Sequence, residues 1–217
     1  MLEIETELLD ALKELGVGVI LTALDKAGYR REKIWMKRVK PLTPGLKMAG
    51  TSVTVKYLAS REPPSREDYV HTFGAIDNAK HGNVLVLDGE GRENIYLFGE
   101  MMAVGCVKRG ISGVVIDGGC HDIPDLKKMG FPTFAIGVAA LGSKTYIRPV
   151  ANNVRIQCGG VQVDPGDVIV GDDDGVVVVP KEKAEEVLKI AKSIKKIEQE
   201  FIEKLQAGVP YLKARES

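Results

Sequence analysis

Two short apolar runs constrain this chain more than anything else in it. Asn83-Val84-Leu85-Val86-Leu87-Asp88 and Gly113-Val114-Val115-Ile116-Asp117 are nearly continuous in Val, Leu and Ile, and each runs directly into glycine after its aspartate. A half-buried strand alternates apolar and polar residues, whereas a run without alternation reads as a strand covered on both faces, as in a parallel sheet between two layers. Between the runs lies a segment from about Gly99 to Lys108 that can be helical. Strand, helix and strand within about 35 residues is the length of a βαβ crossover.

The remaining segments fit an α/β chain. Leu8, Leu9, Leu12 and Leu15, then Val19, Ile20, Ala23 and Leu24, recur at helical spacing from about Glu3 to Ala27, broken at Gly16-Val17-Gly18, so two short helices are expected there. Thr51 to Tyr57 alternates and is β-branched, as strands are. Residues 61–66 and 89–92 read as loops, 68–80 as a helix, Ile123 to Met129 as a short helix opened by Asp122, and Phe131 to Ile136 as a further strand. From Val154 the texture changes to Val-rich strands joined by tight turns, ending at Val176 to Val179, which predicts a separate β layer. Within it, Asp172-Asp173-Asp174-Gly175 reads as a hairpin turn with solvated acids. Pro180 then opens an amphipathic helix to about Gln206, with Ala184, Val187, Leu188, Ala191, Ile194, Phe201 and Leu205 on one stripe. Such a helix overhangs a small domain, so a neighbouring subunit is an expected partner. The reading is one domain over 1–217, with a helical N-terminal segment (1–36) and a C-terminal helix (180–207).

Composition narrows the function. Thirty Lys+Arg balance 30 Asp+Glu, which removes the basic excess that drives binding to nucleic acid or anionic lipid. No stretch reaches the roughly 18 apolar residues of a membrane span, and the acidic start argues against a signal peptide, so a cytoplasmic protein is expected. Three cysteines without a C-x-x-C pair form neither a disulfide framework nor a zinc site.

Ligands of parallel sheets bind just beyond the carboxyl ends of the strands. Those ends read Asp88-Gly89-Glu90-Gly91 and Asp117-Gly118-Gly119-Cys120-His121-Asp122. Gly99-Glu100-Met101-Met102 sits where a helix begins, so its backbone N–H groups suit a carboxylate or phosphate. Glu100 and Asp122 suit a hard divalent ion, Mg²⁺ or Mn²⁺, held mostly through water. His121, the only histidine beside these acids, can serve as acid, base or cation. Cys120 reads as a packing residue.

In order along the chain, Pro44 to Val55, Gly82 to Gly89, Gly99 to Ala103, Gly113 to Asp122, Gly130 to Ala135 and Pro165 to Val176 resemble the RraA-like family. That family contains 4-hydroxy-4-methyl-2-oxoglutarate aldolases that also decarboxylate oxaloacetate, and a regulator of ribonuclease E activity. The resemblance implies a swivelling β/β/α-type domain, assembly into trimers or hexamers, and a site between subunits. It further implies that the amides of Met101 and Met102 hold a pyruvate carboxylate beside Gly99, that Glu100 orders a water on the metal, and that Asp122 reaches the divalent ion. An acid of a neighbour's terminal helix, Glu198 or Glu200, would complete the site. The aldolases have Arg-Asp where this chain has His121-Asp122. Arginine is a permanent, forked cation, and histidine is shorter and mostly neutral at pH 7, so altered activity on the usual substrates is expected. The reading is a metal-dependent lyase on a small 2-keto acid. Its rivals are a non-catalytic regulatory protein and an enzyme for another anionic substrate with His121 as general base.

Overall fold

The structure, a computed structural model, describes residues 4–142 and 147–215. Glu3, where the first predicted helix starts, lies outside the described residues. The centre is a set of parallel strands in the order β5-β4-β3-β2: β2 (Met48–Ala59), β3 (Val84–Phe98), β4 (Gly113–Cys120) and β5 (Thr133–Val138). They are linked through helices α2 (Val70–Asp77), α3 (Glu100–Lys108) and α4 (Ile123–Met129). Every residue of β4 is buried, and alternation explains why both apolar runs lack polar positions. Leu85, Leu87, Val114 and Ile116 join the core under the helices. Val84, Val86 and Val115 join a second core on the opposite face.

That opposite face is covered by the Val-rich layer: the hairpin β7 (Ile156–Cys158) and β8 (Val161–Val163), then β9 (Val168–Asp172) and β10 (Gly175–Val179). β2 ties the two regions together. Its first residues pair with β9, Ser52 to Lys56 pair with β3, and its last with β6 (Ile147–Asn152). Neither β6 nor the short edge strand β1 (Lys40–Pro41) is expected from the sequence. β6 carries Pro149 and polar residues, which an edge position tolerates because one side of the strand needs no ladder bonds.

The stretch 89–92, expected as a loop, lies inside β3. Glu90 and Gly91 take positive φ of 57° and 70°. The pairing with β4 jumps from Leu87↔Ile116 to Arg92↔Gly118, so residues 88–91 bulge out while the strand continues to Phe98.

The expected break at Gly16-Val17-Gly18 is a kink inside one element, α1 (Thr6–Lys26), at Gly16 with φ 79° and ψ 165°. It is held from outside: Asp172 Oδ2 accepts the Val17 N–H at 2.8 Å, and Oδ1 accepts the Asp174 N–H at 2.9 Å. Asp173 Oδ1 accepts the Gly45 N–H at 2.8 Å. Asp172 and Asp173 are therefore bound, not simply solvated, Asp172 because the turn abuts the kink of α1 and Asp173 because it meets the loop at Gly45, while Asp174 is exposed as expected. α5 (Ala184–Gln206) begins after a 3₁₀ turn at Lys181–Lys183, one turn later than Pro180. Its first half buries Ala184, Val187, Ala191 and Ile194 against α1 and the β9–β10 layer. Phe201, further out, meets Tyr211 of α6 (Tyr211–Arg215) edge-on at 5.2 Å. Among the described residues no helix is long and apolar enough to cross a membrane.

Candidate functional site

The parallel strands β3 and β4 deliver two loops side by side. β3 ends at Phe98 and hands over through Gly99 to α3, while β4 ends at Cys120 and continues into His121-Asp122. The His121 N–H donates to the Phe98 carbonyl at 3.1 Å, which ties the loops together. Gly99 is extended (φ −164°) and needs no special backbone freedom. It needs smallness: a Cβ there would lie 2.8 Å from both Asp122 Oδ2 and His121 Nε2.

Asp122 takes a left-handed conformation (φ 58°) at the cap position of α4, and its carbonyl accepts the Asp125 and Leu126 N–H groups at 3.0 Å. Its carboxylate does not cap that helix. It turns across to α3, where Oδ2 accepts the Glu100 N–H at 3.1 Å, and Oδ1 lies 2.5 Å from His121 Nδ1. Partial desolvation pushes this carboxyl up, but the Glu100 N–H and then His121 outweigh it and hold it below its ordinary value. Asp122 is therefore an anion at neutral pH. The His121 ring stands edge-on to Tyr96, centroids 3.7 Å apart at 67°.

The first turn of α3 holds the anion cradle. Of its unpaired N–H groups, that of Glu100 goes to Asp122 and that of Ala103 to the Gly99 carbonyl at 3.1 Å. Among the described residues no acceptor meets the N–H of Met101 or Met102. Two donors at the positive end of a helix are thus available to a carboxylate.

These groups open into a cavity of about 780 Å³ bounded by α2, the end of β3, the turn at Gly99–Met102 and His121-Asp122. Glu100 is exposed at its edge. No three His, Cys, Asp or Glu side chains form a ready metal cage among the described residues. The donor set nevertheless fits magnesium or manganese, which commonly take one or two carboxylates and fill the remaining positions with water and substrate oxygens. Asp122, ionised and about one-third exposed (34%), is the residue that would hold the ion.

Gly99, Glu100, Met101, Met102, His121 and Asp122, all expected at the site, come together. The acids at the two strand ends do not join them. Asp88 is buried, paired with Lys56 at 2.9 Å, and accepts the Gln157 and Glu90 N–H groups at 3.1 Å. Asp117 is buried as well; desolvation, then the neighbouring Asp88, pushes its carboxyl up against hydrogen bonds from Gly159 and Gly91. Strand alternation is the reason: residues 88 and 117 fall on the face of Val86 and Val115, beneath the Val-rich layer. Glu90 accepts the Ala59 N–H at 3.1 Å and is absent from the cavity wall. Cys120 is buried and its thiol is pushed up to about 12, first by desolvation and then by Asp122, which fits its packing role. Glu198 and Glu200 lie on the outer part of α5 beside Lys195 and Lys196, at 4.0 and 3.9 Å, and do not line the cavity of their own chain. The sequence reading missed the aromatic wall, Tyr57, Tyr69, Phe73 and Tyr96. The four-residue spacing of Tyr69 and Phe73 on a predicted helix was its one legible trace.

Residues 6–178 match the family described as RraA-like, Aldolase/RraA. A protein of Halalkalibacterium halodurans (strain C-125), whose name makes it a candidate 4-hydroxy-4-methyl-2-oxoglutarate aldolase, is 37% identical over 155 residues, covering 71% of this chain and 70% of that protein. The chain spans only about a third of Protein DlpA of Legionella pneumophila, 25% identical over 209 residues, 96% of this chain. Among solved structures, an uncharacterized protein of Pseudomonas syringae pv. tomato has a TM-score of 0.87 at 28% identity, covering 99% of this chain and all of that one. Streptomyces coelicolor RraAS2, titled an unusual member of the RNase ES inhibitor RraA protein family, has a TM-score of 0.79 at 28% identity, covering 92% and 97%.

Proposed function

The chain belongs to the RraA-like family, and on that premise we propose that it is a cytoplasmic, divalent-metal-dependent lyase that releases pyruvate from a small 2-keto acid by retro-aldol cleavage or decarboxylation. One observation carries the reading: two unengaged helix N–H groups, at Met101 and Met102, follow directly on the Glu100 N–H that the ionised Asp122 accepts, with its carboxylate turned away from its own helix. A 2-keto acid presents that pair of features with a carboxylate for the amides and an adjacent ketone oxygen toward Asp122.

When bound at Asp122, magnesium or manganese supplies Lewis acidity, which lowers the energy of negative charge on the ketone oxygen. The chain's own residues do the rest. Met101 and Met102 bind and orient the carboxylate by paired donors. Glu100, exposed at the cavity edge, accepts the substrate's hydroxyl proton through one water. His121, held by Asp122 Oδ1 and packed on Tyr96, keeps Nε2 directed along the Gly99 side, where it can hydrogen-bond the developing oxyanion. Glu198 or Glu200 of a neighbouring copy in a trimer or hexamer would supply a further acid.

The test is pyruvate release from oxaloacetate and from 4-hydroxy-4-methyl-2-oxoglutarate with Mg²⁺ or Mn²⁺. Turnover that falls at least about 10²-fold in Asp122→Ala is expected. Release at the rate of the free metal, indifferent to Asp122→Ala, would refute the reading. A second reading is favoured by one specific feature, that both oxygens of Asp122 are already engaged within the chain. A scaffold that uses Asp122 only to brace two loops would act by docking partners rather than by catalysis; RraAS2 is titled a member of an RNase ES inhibitor family. It predicts no heat of manganese binding that depends on Asp122.

A further inference from the structure

Oxaloacetate and 4-hydroxy-4-methyl-2-oxoglutarate each carry a second carboxylate beyond the 2-keto head, and the Gly99–Met102 corner holds only the head. Resting on the lyase reading, we infer that Tyr57 and Thr72 determine specificity, donating a hydrogen bond from their paired hydroxyls to that distal carboxylate.

Proton counting is the first argument. Tyr57 Oη and Thr72 Oγ1 lie 2.7 Å apart, and either can be the donor. Each hydroxyl brings one proton, and the single bond between them uses one. Whichever way that bond runs, one O–H is left over, and among the described residues neither oxygen has a second partner. Burial is the second argument. Both residues are 1% exposed, so the chain itself has already settled their surroundings and a neighbouring subunit has almost nothing left to cover. An unmatched O–H at that depth costs free energy. Tyr57, from β2, and Thr72, from α2, line the same cavity as Met101, Met102 and Asp122, so a ligand group inside that cavity is what meets the spare proton.

Acceptor strength is the third. Burial pushes the Tyr57 phenol above its ordinary value, against the opposing bond to Thr72, so the phenol keeps its proton and the pair stays a donor. A carboxylate is the strongest acceptor that the far end of a small 2-keto acid can offer, because hydrogen bonds to a charged oxygen are roughly twice as strong as neutral ones. A methyl group in the same place leaves the O–H unmatched, which is how a buried donor rejects the wrong substrate.

Calorimetry on the magnesium-loaded protein tests this with 2-oxoglutarate and 2-oxopentanoate, which share the 2-keto head and the chain length and differ only in a carboxylate against a methyl at the far carbon. 2-Oxoglutarate is expected to bind at least about tenfold tighter, the scale of one hydrogen bond to a charged group. Tyr57→Phe combined with Thr72→Val removes both hydroxyls at nearly constant shape, a change that is close to neutral for stability. It is expected to bring the two affinities within about threefold of each other by weakening 2-oxoglutarate alone, whereas a pair that served packing only would leave their ratio where it was. If both compounds bind and the unaltered protein does not prefer 2-oxoglutarate, or the preference survives in the double variant, the inference is overturned while the lyase reading stands. If neither binds, the lyase reading fails and takes this inference with it. Should the double variant melt early, a crystal of the unaltered magnesium-loaded protein soaked with 2-oxoglutarate decides: a distal carboxylate within about 3.2 Å of Tyr57 Oη or Thr72 Oγ1 supports the inference, and one held elsewhere overturns it.

Discussion

Replacing Gly99 with alanine adds one methyl group at the point where the two loops touch. The backbone accepts it, since φ is −164°, so any effect is steric. The new Cβ would lie 2.8 Å from Asp122 Oδ2 and His121 Nε2 and 3.0 Å from His121 Cε1, whereas ordinary contact begins near 3.4 Å. Both side chains must retreat by several tenths of an ångström. A retreat of that size lengthens the 3.1 Å bond from the Glu100 N–H past hydrogen-bonding distance. A hydrogen bond to a charged group contributes about 1.5–3 kcal/mol. Water reaches Asp122 and replaces part of it, so the expected loss is about 1 kcal/mol, or about 2–4 °C in thermal midpoint for a chain of this size. Displacement of the His121–Asp122 pair costs more in chemistry than in stability, about 10²-fold in pyruvate release. Calorimetric melting and a coupled pyruvate assay measure the two together. Gly105→Ala on the same helix, whose Cβ would meet only Ile76 Cγ2 at 3.7 Å, is the control and gains about 0.5–1 kcal/mol. Full activity in Gly99→Ala with an unmoved midpoint would show that the corner has slack the distances deny. A loss beyond about 3 kcal/mol would show that the backbone, and not the two side chains, gives way.

Two further outcomes concern stability. Asp172→Ala removes the acceptor of the Val17 N–H at the α1 kink and should cost about 1–2 kcal/mol, with Asp172→Asn keeping much of it; equal midpoints for all three proteins would leave the kink without this brace. Asp117, whose folded carboxyl is held above its ordinary value of 3.8, binds a proton more readily folded than unfolded, so its contribution is present below that value and is lost as pH rises through the raised one. Asp117→Asn should therefore flatten the fall of unfolding free energy in the window just above 3.8, and a slope unchanged in denaturant melts would contradict the assignment.

Periodicity carries what burial decides. The runs at 84–87 and 114–116 announced two-sided coverage, and that requirement alone gives the parallel centre and the loops at its carboxyl ends. The α5 stripe was legible for the same reason through Ile194, although Ile197 is exposed (61%) and the outer part turns to α6. What the pattern of one apolar run could not show is where its strand ends, because β3 bulges after Leu87 and then runs on, and β4 continues past Asp117 to Cys120. Asp88 and Asp117 looked like rim acids by position, yet alternation carries them under the Val-rich layer, and β3 continues ten residues past Asp88 before it reaches the site. The resemblance placed Gly99–Met102 and His121–Asp122 correctly as neighbours. It could not supply the reach of the Asp122 carboxylate to another helix, which depends on a positive φ at a residue that an ordinary cap would leave extended. The aromatic wall escaped because α2 is short and a lone four-residue spacing is weak beside the long stripes.

The two strands that feed the corner touch almost without side chains between them. A Cβ at Gly119 would meet the Glu93 and Ile95 carbonyls at 2.8 Å, one at Gly118 would meet Leu97 Cδ1 at 3.0 Å, and one at Gly89 would collide with the same leucine. Leu97 thus sits like a key in a slot cut by glycines, two residues ahead of Gly99. Bare main chain has no rotamers with which to absorb a misfit, so an error introduced at this leucine travels undamped along β3 and alters the spacing between the Met101–Met102 amides and Asp122, though Leu97 itself carries no polar group.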